Sequence, residues 1–360
     1  MYETTFSIQA NLMDVFLIKN NHTAFFMKLT SILALVLLVG CNSNDDDSSD
    51  LTTVRVGVTT FWGEAAYYIA QSEGFFEEEG LEIIDHPHSA GRESLKELYQ
   101  GKLDIAHVAE IPVVRALSGA LPYSKYDEFN LKIFTGMIYT SNSQKVIARR
   151  DHGIENPQDL RNKKVGLYYE TTSEYFFDTF LLEHGIPEKQ VEKVNIDISE
   201  HYKALKNGQV DAVVSWEPHA SQILKKLKNN TFKLNSVLGH STLWLGVSSE
   251  TYIQQHPETI VKYLRALKKA QDYIKHHPEE TKTLVSQKTK TSLETIENLW
   301  PSIEYELSIG QRMLSLLNEQ QRWFMQEQRV ADTTKQSNVH NAIYFDALQK
   351  AHPEGITVIQ

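Results

Sequence analysis

The chain has 360 residues, 41% of them hydrophobic and 23% charged, a globular composition with apolar material for one large or two medium domains. A formal charge of -10 without any long basic run sets nucleic acid aside as a partner, because phosphates must be neutralised by Lys and Arg. Counting also excludes intrachain disulfides, Cys-based zinc sites and iron–sulfur clusters, since Cys41 is the only cysteine.

In chain order, residues 1 to 26 read as an upstream extension before a better signal-peptide start at Met27. The stretch "MKLTSILALVLLVGC" (Met27 to Cys41) is too short to span a hydrocarbon core of roughly 30 Å as a helix, and fits a signal peptide. Leu38-Val39-Gly40-Cys41 resembles the lipobox of bacterial lipoproteins, which implies acylation of Cys41 and a lipid anchor in the cell membrane. Residues 42 to 52, small, polar and acidic, read as a flexible tether. The first structured unit, "VRVGVTTFWGEAAYYIAQSEGF" (Val54 to Phe75), predicts a strand, a turn carrying Trp62, Gly63 and Glu64, and an amphipathic helix that a glycine ends. Ser89, Ala90 and Gly91 then precede a second helix. Between Leu131 and Asp151 two strands flank a polar stretch containing Asn142 and Ser143. "KKVGLYYETTSEYFFDTFLLEHGI" (Lys163 to Ile186) repeats the strand, polar turn and helix, and "STLWLGVSSETYIQQHPE" (Ser241 to Glu258) resumes strand and helix. From Pro257 onward the pattern is mostly helical, and Met313, Leu316, Leu317, Trp323 and Phe324 read as helix packing.

One pattern occurs twice. "ESLKELYQGKLDIAHVAEIP" (Glu93 to Pro112) aligns without a gap on "EHYKALKNGQVDAVVSWEPH" (Glu200 to His219), pairing Gly101 with Gly208, Asp104 with Asp211 and Glu110 with Glu217. Each copy predicts a helix, a glycine suited to a left-handed C-terminal cap, and a short apolar strand that ends in a polar residue. With the βα units upstream, the repeat predicts two α/β lobes with largely parallel sheets. Ligands of such sheets sit beyond the carboxyl ends of the strands, which directs attention to the loops after Val58, Val108, Leu167 and Val214.

Taken in order, "FWGEAAYYIAQSEGFFEEEGLEI", "LDIAHVAEIP", "ENPQDLRNKKVGL", "GQVDAVVSWEP" and "YFDALQKAHPEGITVI" resemble the solute-binding proteins of ABC importers for nitrate, taurine, aliphatic sulfonates and thiamine precursors. The resemblance implies a type II periplasmic binding protein: lobe I from residues 53 to 140 plus 246 to 360, lobe II from 141 to 245, and a ligand cleft between them that closes by hinge motion. It also implies a monomer that takes no cofactor, partnered by separate permease and ATPase subunits, and the chain itself has no G-x-x-x-x-G-K-[ST] phosphate loop. An enzyme of the pyrimidine-synthesis type would need a cysteine-rich motif that the chain lacks. A metal carrier built on Asp85 to His88 with His107, or a sensor domain, stands as an alternative.

The cleft is expected to take Trp62 as a stacking face, Gly63 as a point of close backbone approach, and Glu64. Ser89 and Gly91 either present amides to an anion or merely cap the helix that carries Arg92. In lobe II, Tyr169 and Glu170 precede Thr171, Thr172 and Ser173, three hydroxyls at the positive end of a helix. Thr171 with Glu174 equally has the spacing of a capping box. Asn142 and Ser143 add neutral donors at the crossing. Glu110 and Glu217, with Trp216, end equivalent strands, so both carboxylates are expected to face the cleft or else to be spent in salt bridges. An inward pair would favour an amine or a nitrogen heterocycle over a sulfonate or nitrate.

Overall fold

The computed structural model describes residues 51–126, 129–236, 240–326 and 338–358. Cys41 and the signal peptide lie outside the described residues, as does the tether up to residue 50. Two separate sheets form. The first contains β1 (Thr52–Thr59), β2 (Leu81–His88), β3 (Ile105–Ala109) and β4 (Leu131–Thr140), and the second contains β5 (Gln144–Arg149), β6 (Lys164–Leu167), β7 (Glu192–Asn195), β8 (Ala212–Trp216) and β9 (Thr231–Leu234). The chain then returns to the first sheet with β10 (Thr242–Ser249), β11 (Ile303–Gly310) and β12 (Ile356–Thr357). Strand order is β12-β11-β4-β10-β3-β1-β2 in lobe I and β7-β6-β8-β5-β9 in lobe II. Thr52, expected in the tether, already pairs with Leu81, and residues 242 to 245, expected in lobe II, pair within the lobe I sheet.

In each sheet three adjacent strands at one edge are parallel, β2-β1-β3 and β7-β6-β8, while most of the other pairings are antiparallel, so the sheets are mixed and not largely parallel as expected. An antiparallel strand then lies beside β3 and beside β8, namely β10 and β5. These are the strands that enter from the crossings between lobes, so the chain reverses direction where it changes sheet.

The internal repeat is visible in this geometry. Gly101 and Gly208 both adopt left-handed backbone, at φ 69° and 70°, where an L side chain would be strained. Each is followed by the aspartate of the pattern, which reaches back to the neighbouring parallel strand. Asp104 Oδ2 accepts from the Arg55 amide at 2.8 Å, and Asp211 Oδ2 accepts from the Lys164 amide at 2.8 Å.

Seven helices carry the rest of the argument: α1 (Ala65–Ser72), α2 (Gly91–Tyr99), α3 (Glu110–Leu117), α4 (Thr172–Glu183), α5 (His201–Lys206), α6 (Pro257–His276) and α7 (Gln311–Gln326). In α6, Pro257 occupies the first turn, where its missing amide costs nothing, and Ile260, Leu264, Leu267 and Ile274 recur on its buried face. Met313, Leu317 and Phe324 of α7 join the same lobe I core, with Leu316 and Trp323 packed at its margin. Among the described residues no helix is long and apolar enough to cross a membrane.

Candidate functional site

Helices α2, α3 and α4 all begin at one cavity between the sheets. It is lined by Ala90 and Gly91 at the start of α2, Ala109 and Pro112 at the start of α3, and Thr171 and Thr172 at the start of α4. Phe61, Arg92, Ser143, Gln144, Trp216 and Trp244 complete much of the wall, and the space measures about 500 Å³ including the part open to solvent. Neither Ala90 nor Ala109 has a side chain that can cap its helix, so the leading amides of α2 and α3 have no side-chain acceptor at the N-cap. Converging helix N-termini give the cavity a positive potential.

Arg92 is the one charged residue in that lining. Its Nε donates to Glu93 at 2.7 Å, and its Nη1 donates to the Tyr169 carbonyl at 2.6 Å. The guanidinium also lies 3.8 Å from the centre of the Tyr168 ring. Burial works against its charge, but Glu93, Tyr168 and Glu170 raise its pKa, so it is a permanent cation.

The predicted site residues divide into two groups. Ser89, Gly91, Arg92, Ser143, Thr171, Thr172 and Trp216 border the cavity. Thr171 also caps α4: its hydroxyl accepts from the Ser173 amide at 3.3 Å and donates to the Tyr168 carbonyl at 2.6 Å. The box is displaced by one residue, because Glu174 accepts from the Glu170 amide at 2.8 Å. Ser89 makes no capping bond, and Ala90 is the N-cap of α2.

The second group lies elsewhere. Trp62 is fully buried in the lobe I core, edge-on to Phe61 at 5.7 Å. At Gly63 a Cβ would come within 2.3 Å of Phe61 and 2.4 Å of Ile138, so this glycine serves packing and not approach to a ligand. Glu64 turns inward to His107 and Trp244. Ser173 is buried and donates to Gln144 Oε1 at 3.0 Å. Tyr169 spends its hydroxyl on the Lys193 carbonyl. Asn142 accepts from Lys145 at 2.6 Å, beside a separate polar cavity.

Both strand-end carboxylates are withdrawn from the cavity. Glu110 is fully buried, with Oε2 accepting from the Leu243 amide at 3.0 Å and Oε1 from Gln320 at 3.3 Å. Burial pushes its carboxyl up to about 7, against those hydrogen bonds. Glu217, 1% exposed, accepts from the Ser221 amide at 3.0 Å and pairs with Lys145 at 3.5 Å. Glu110 also meets the Thr172 hydroxyl of the cavity wall, but neither carboxylate is itself part of the lining, which weakens the electronegative cleft that an inward pair would create.

Sequence reasoning left out Thr59, Thr60, Gln144, Thr242 and Trp244 of the lining. Thr59 and Thr60 directly follow Val58, where the strand-end rule pointed without singling them out. Trp244 sits within β10, and nothing in its local sequence separates it from a core residue. Of the histidines named for a metal, His107 meets Glu64 and Tyr263, while His86 and His88 lie 3.6 and 3.4 Å from Glu97. No group of three or more metal-ligating side chains occurs among the described residues.

The family model described as NMT1/THI5 like matches residues 63–281, more than half of the chain. A putative aliphatic sulfonates-binding protein of Bacillus subtilis is 25% identical over 285 residues, covering 76% of this chain and 81% of that protein. Among solved structures, the alkanesulfonate-binding protein SsuA from Xanthomonas axonopodis pv. citri bound to MOPS superposes with a TM-score of 0.68 at 14% identity, covering 82% of this chain and 99% of that one. The periplasmic nitrate-binding protein NrtA from Synechocystis PCC 6803 gives 0.66 at 15% identity, covering 85% and 89%. These likenesses show the two-lobed periplasmic binding protein fold. All three are named as binding proteins.

Proposed function

This chain belongs to the NMT1/THI5-like family, and on that premise we propose that it is the extracytoplasmic solute-binding component of an ABC importer, and that its solute is a small organic oxyanion of the sulfonate class. One observation carries the choice of ligand. Arg92 is the only charged residue among those lining the cavity, while Glu110 and Glu217 are paired elsewhere. A cation at three helix N-termini favours an oxyanion over an amine. Phe61, Trp216, Trp244, Ala109 and Pro112 would cover an alkyl or aryl group attached to it. The relative from Bacillus subtilis is named for such ligands, which supports the same reading. Delivery to a permease and lipid attachment at Cys41 complete the proposal.

Titration calorimetry against aliphatic sulfonates, taurine, nitrate, a pyrimidine and a primary amine tests it. The expected result is saturable binding of a sulfonate and none of the amine. Binding of the amine or the pyrimidine alone would overturn the ligand class. For the anchor, metabolic labelling with a fatty acid should mark the wild type and not Cys41→Ser.

A further inference from the structure

A run of buried polar groups ends at the cavity. Glu64, in the turn after β1, has no solvent exposure. Its Oε1 accepts from Trp244 Nε1 at 3.0 Å, and its Oε2 meets His107 Nδ1 at 2.7 Å. On the far side of the imidazole, Nε2 lies 2.8 Å from the Tyr263 hydroxyl. His107 comes from β3 and Tyr263 from α6, and both are fully buried. In the tautomer whose Nδ1 donates to Glu64, Nε2 accepts from the Tyr263 hydroxyl. Every polar atom of the three side chains then has a partner, the condition under which a buried network rigidifies its surroundings.

The group at the end of this run is part of the cavity wall. Trp244 is 6% exposed. Its ring lies 5.0 Å from that of Phe61, and a Cβ built at Gly91 would come within 3.1 Å of its Cη2. Phe61 and Gly91 both line the cavity with it. Rotating the indole away would strand its N–H and leave the Glu64 carboxylate short of a donor in a dry interior, which holds the ring in place.

We propose that Glu64, His107 and Tyr263 form a positioning relay that fixes the Trp244 indole and thereby sets how much apolar bulk a ligand can bring into the cavity. The part concerning ligands rests on the solute-binding reading above. None of the three touches the cavity, so they act through Trp244.

Fluorine NMR of the ligand-free protein labelled with 5-fluorotryptophan tests the relay without any ligand, with the Trp244 signal assigned from Trp244→Phe. Glu64→Leu should shift and broaden that signal and leave the signal of Trp216 unchanged. Glu64→Gln, which keeps an oxygen for the indole, should restore a sharp line, and Tyr263→Phe should give an intermediate change. In the same variants, the ratio of dissociation constants for methanesulfonate and hexanesulfonate should change by about tenfold in Glu64→Leu. A Trp244 signal unmoved in folded Glu64→Leu and Tyr263→Phe overturns the relay. Should Glu64→Leu not fold, Tyr263→Phe against Glu64→Gln decides in its place. A moved signal with an unchanged ratio overturns the role in specificity. A wild type that binds neither sulfonate rejects the ligand class, while the NMR result still decides the relay.

Discussion

Arg92 and Glu110 lie within one helical turn of the same cavity and act in opposite ways. Arg92 keeps its charge at the lining, so Arg92→Ala should weaken sulfonate binding roughly tenfold to a hundredfold, the value of a hydrogen bond to a charged group, as calorimetry would read it. Glu110 is held back by donors from β10 and α7, and Glu110→Gln should bind nearly as the wild type does. Its effect belongs to stability. Burial raises the Glu110 carboxyl from 4.5 to about 7, so the unfolded chain loses this proton at lower pH than the folded one. Its contribution is therefore fully present below about 4.5 and lost as pH rises through about 7. His201, which burial lowers to about 4 from 6.5, acts in the other direction as pH falls through that interval. The comparison with Glu110→Gln isolates the glutamate: between pH 4.5 and 8 the wild type should lose on the order of 3 kcal/mol relative to the variant in denaturant melts.

At the scale of elements, the repeated aspartates join adjacent strands. Asp104 and Asp211 each accept a backbone amide of a parallel neighbour, Arg55 of β1 and Lys164 of β6. Burial opposes the charge of Asp211, yet the Lys164 amide and His152 hold its carboxyl below the usual range. That stability is present at neutral pH and is lost as the carboxylate is protonated in acid. Asp211→Ala should cost about 1–3 kcal/mol in denaturant melts, with ligand affinity of the folded protein unchanged. This device was legible in the sequence as a repeated aspartate after a repeated glycine, although its partner strand was not. Helix starts were legible less fully. Thr171 was recognisable as a cap, but the uncapped starts of α2 and α3 follow from alanines at positions 90 and 109 that carry no signal of their own.

At the scale of the whole molecule, polar contacts join the two lobes beside the cavity. Glu170 of lobe II, in left-handed backbone at φ 64°, receives Arg115 at 3.2 Å and Arg92 at 3.5 Å from lobe I. Tyr168 donates across the cleft to Glu93 at 2.8 Å. Glu170→Gln should shift the ligand-free protein toward open forms, seen as a larger radius of gyration in X-ray scattering that ligand brings back to the wild-type value. High salt should mimic the substitution in part, because Glu170 is 36% exposed and its ion pairs are screened. Two α/β lobes followed from the sequence, since strand, helix and capping glycine are local signals written in the spacing of apolar residues, and the family followed from the resemblance of its ordered segments. The direction of each carboxylate did not follow from it. Glu110 is turned by Leu243 and Gln320, and Glu64 by His107 and Trp244, partners far away in the chain that only the packed sheets and helices bring within hydrogen-bond distance. Hydrogen bonding and burial depend on neighbours in space, so tertiary structure alone decided which of the repeated polar residues border the cavity.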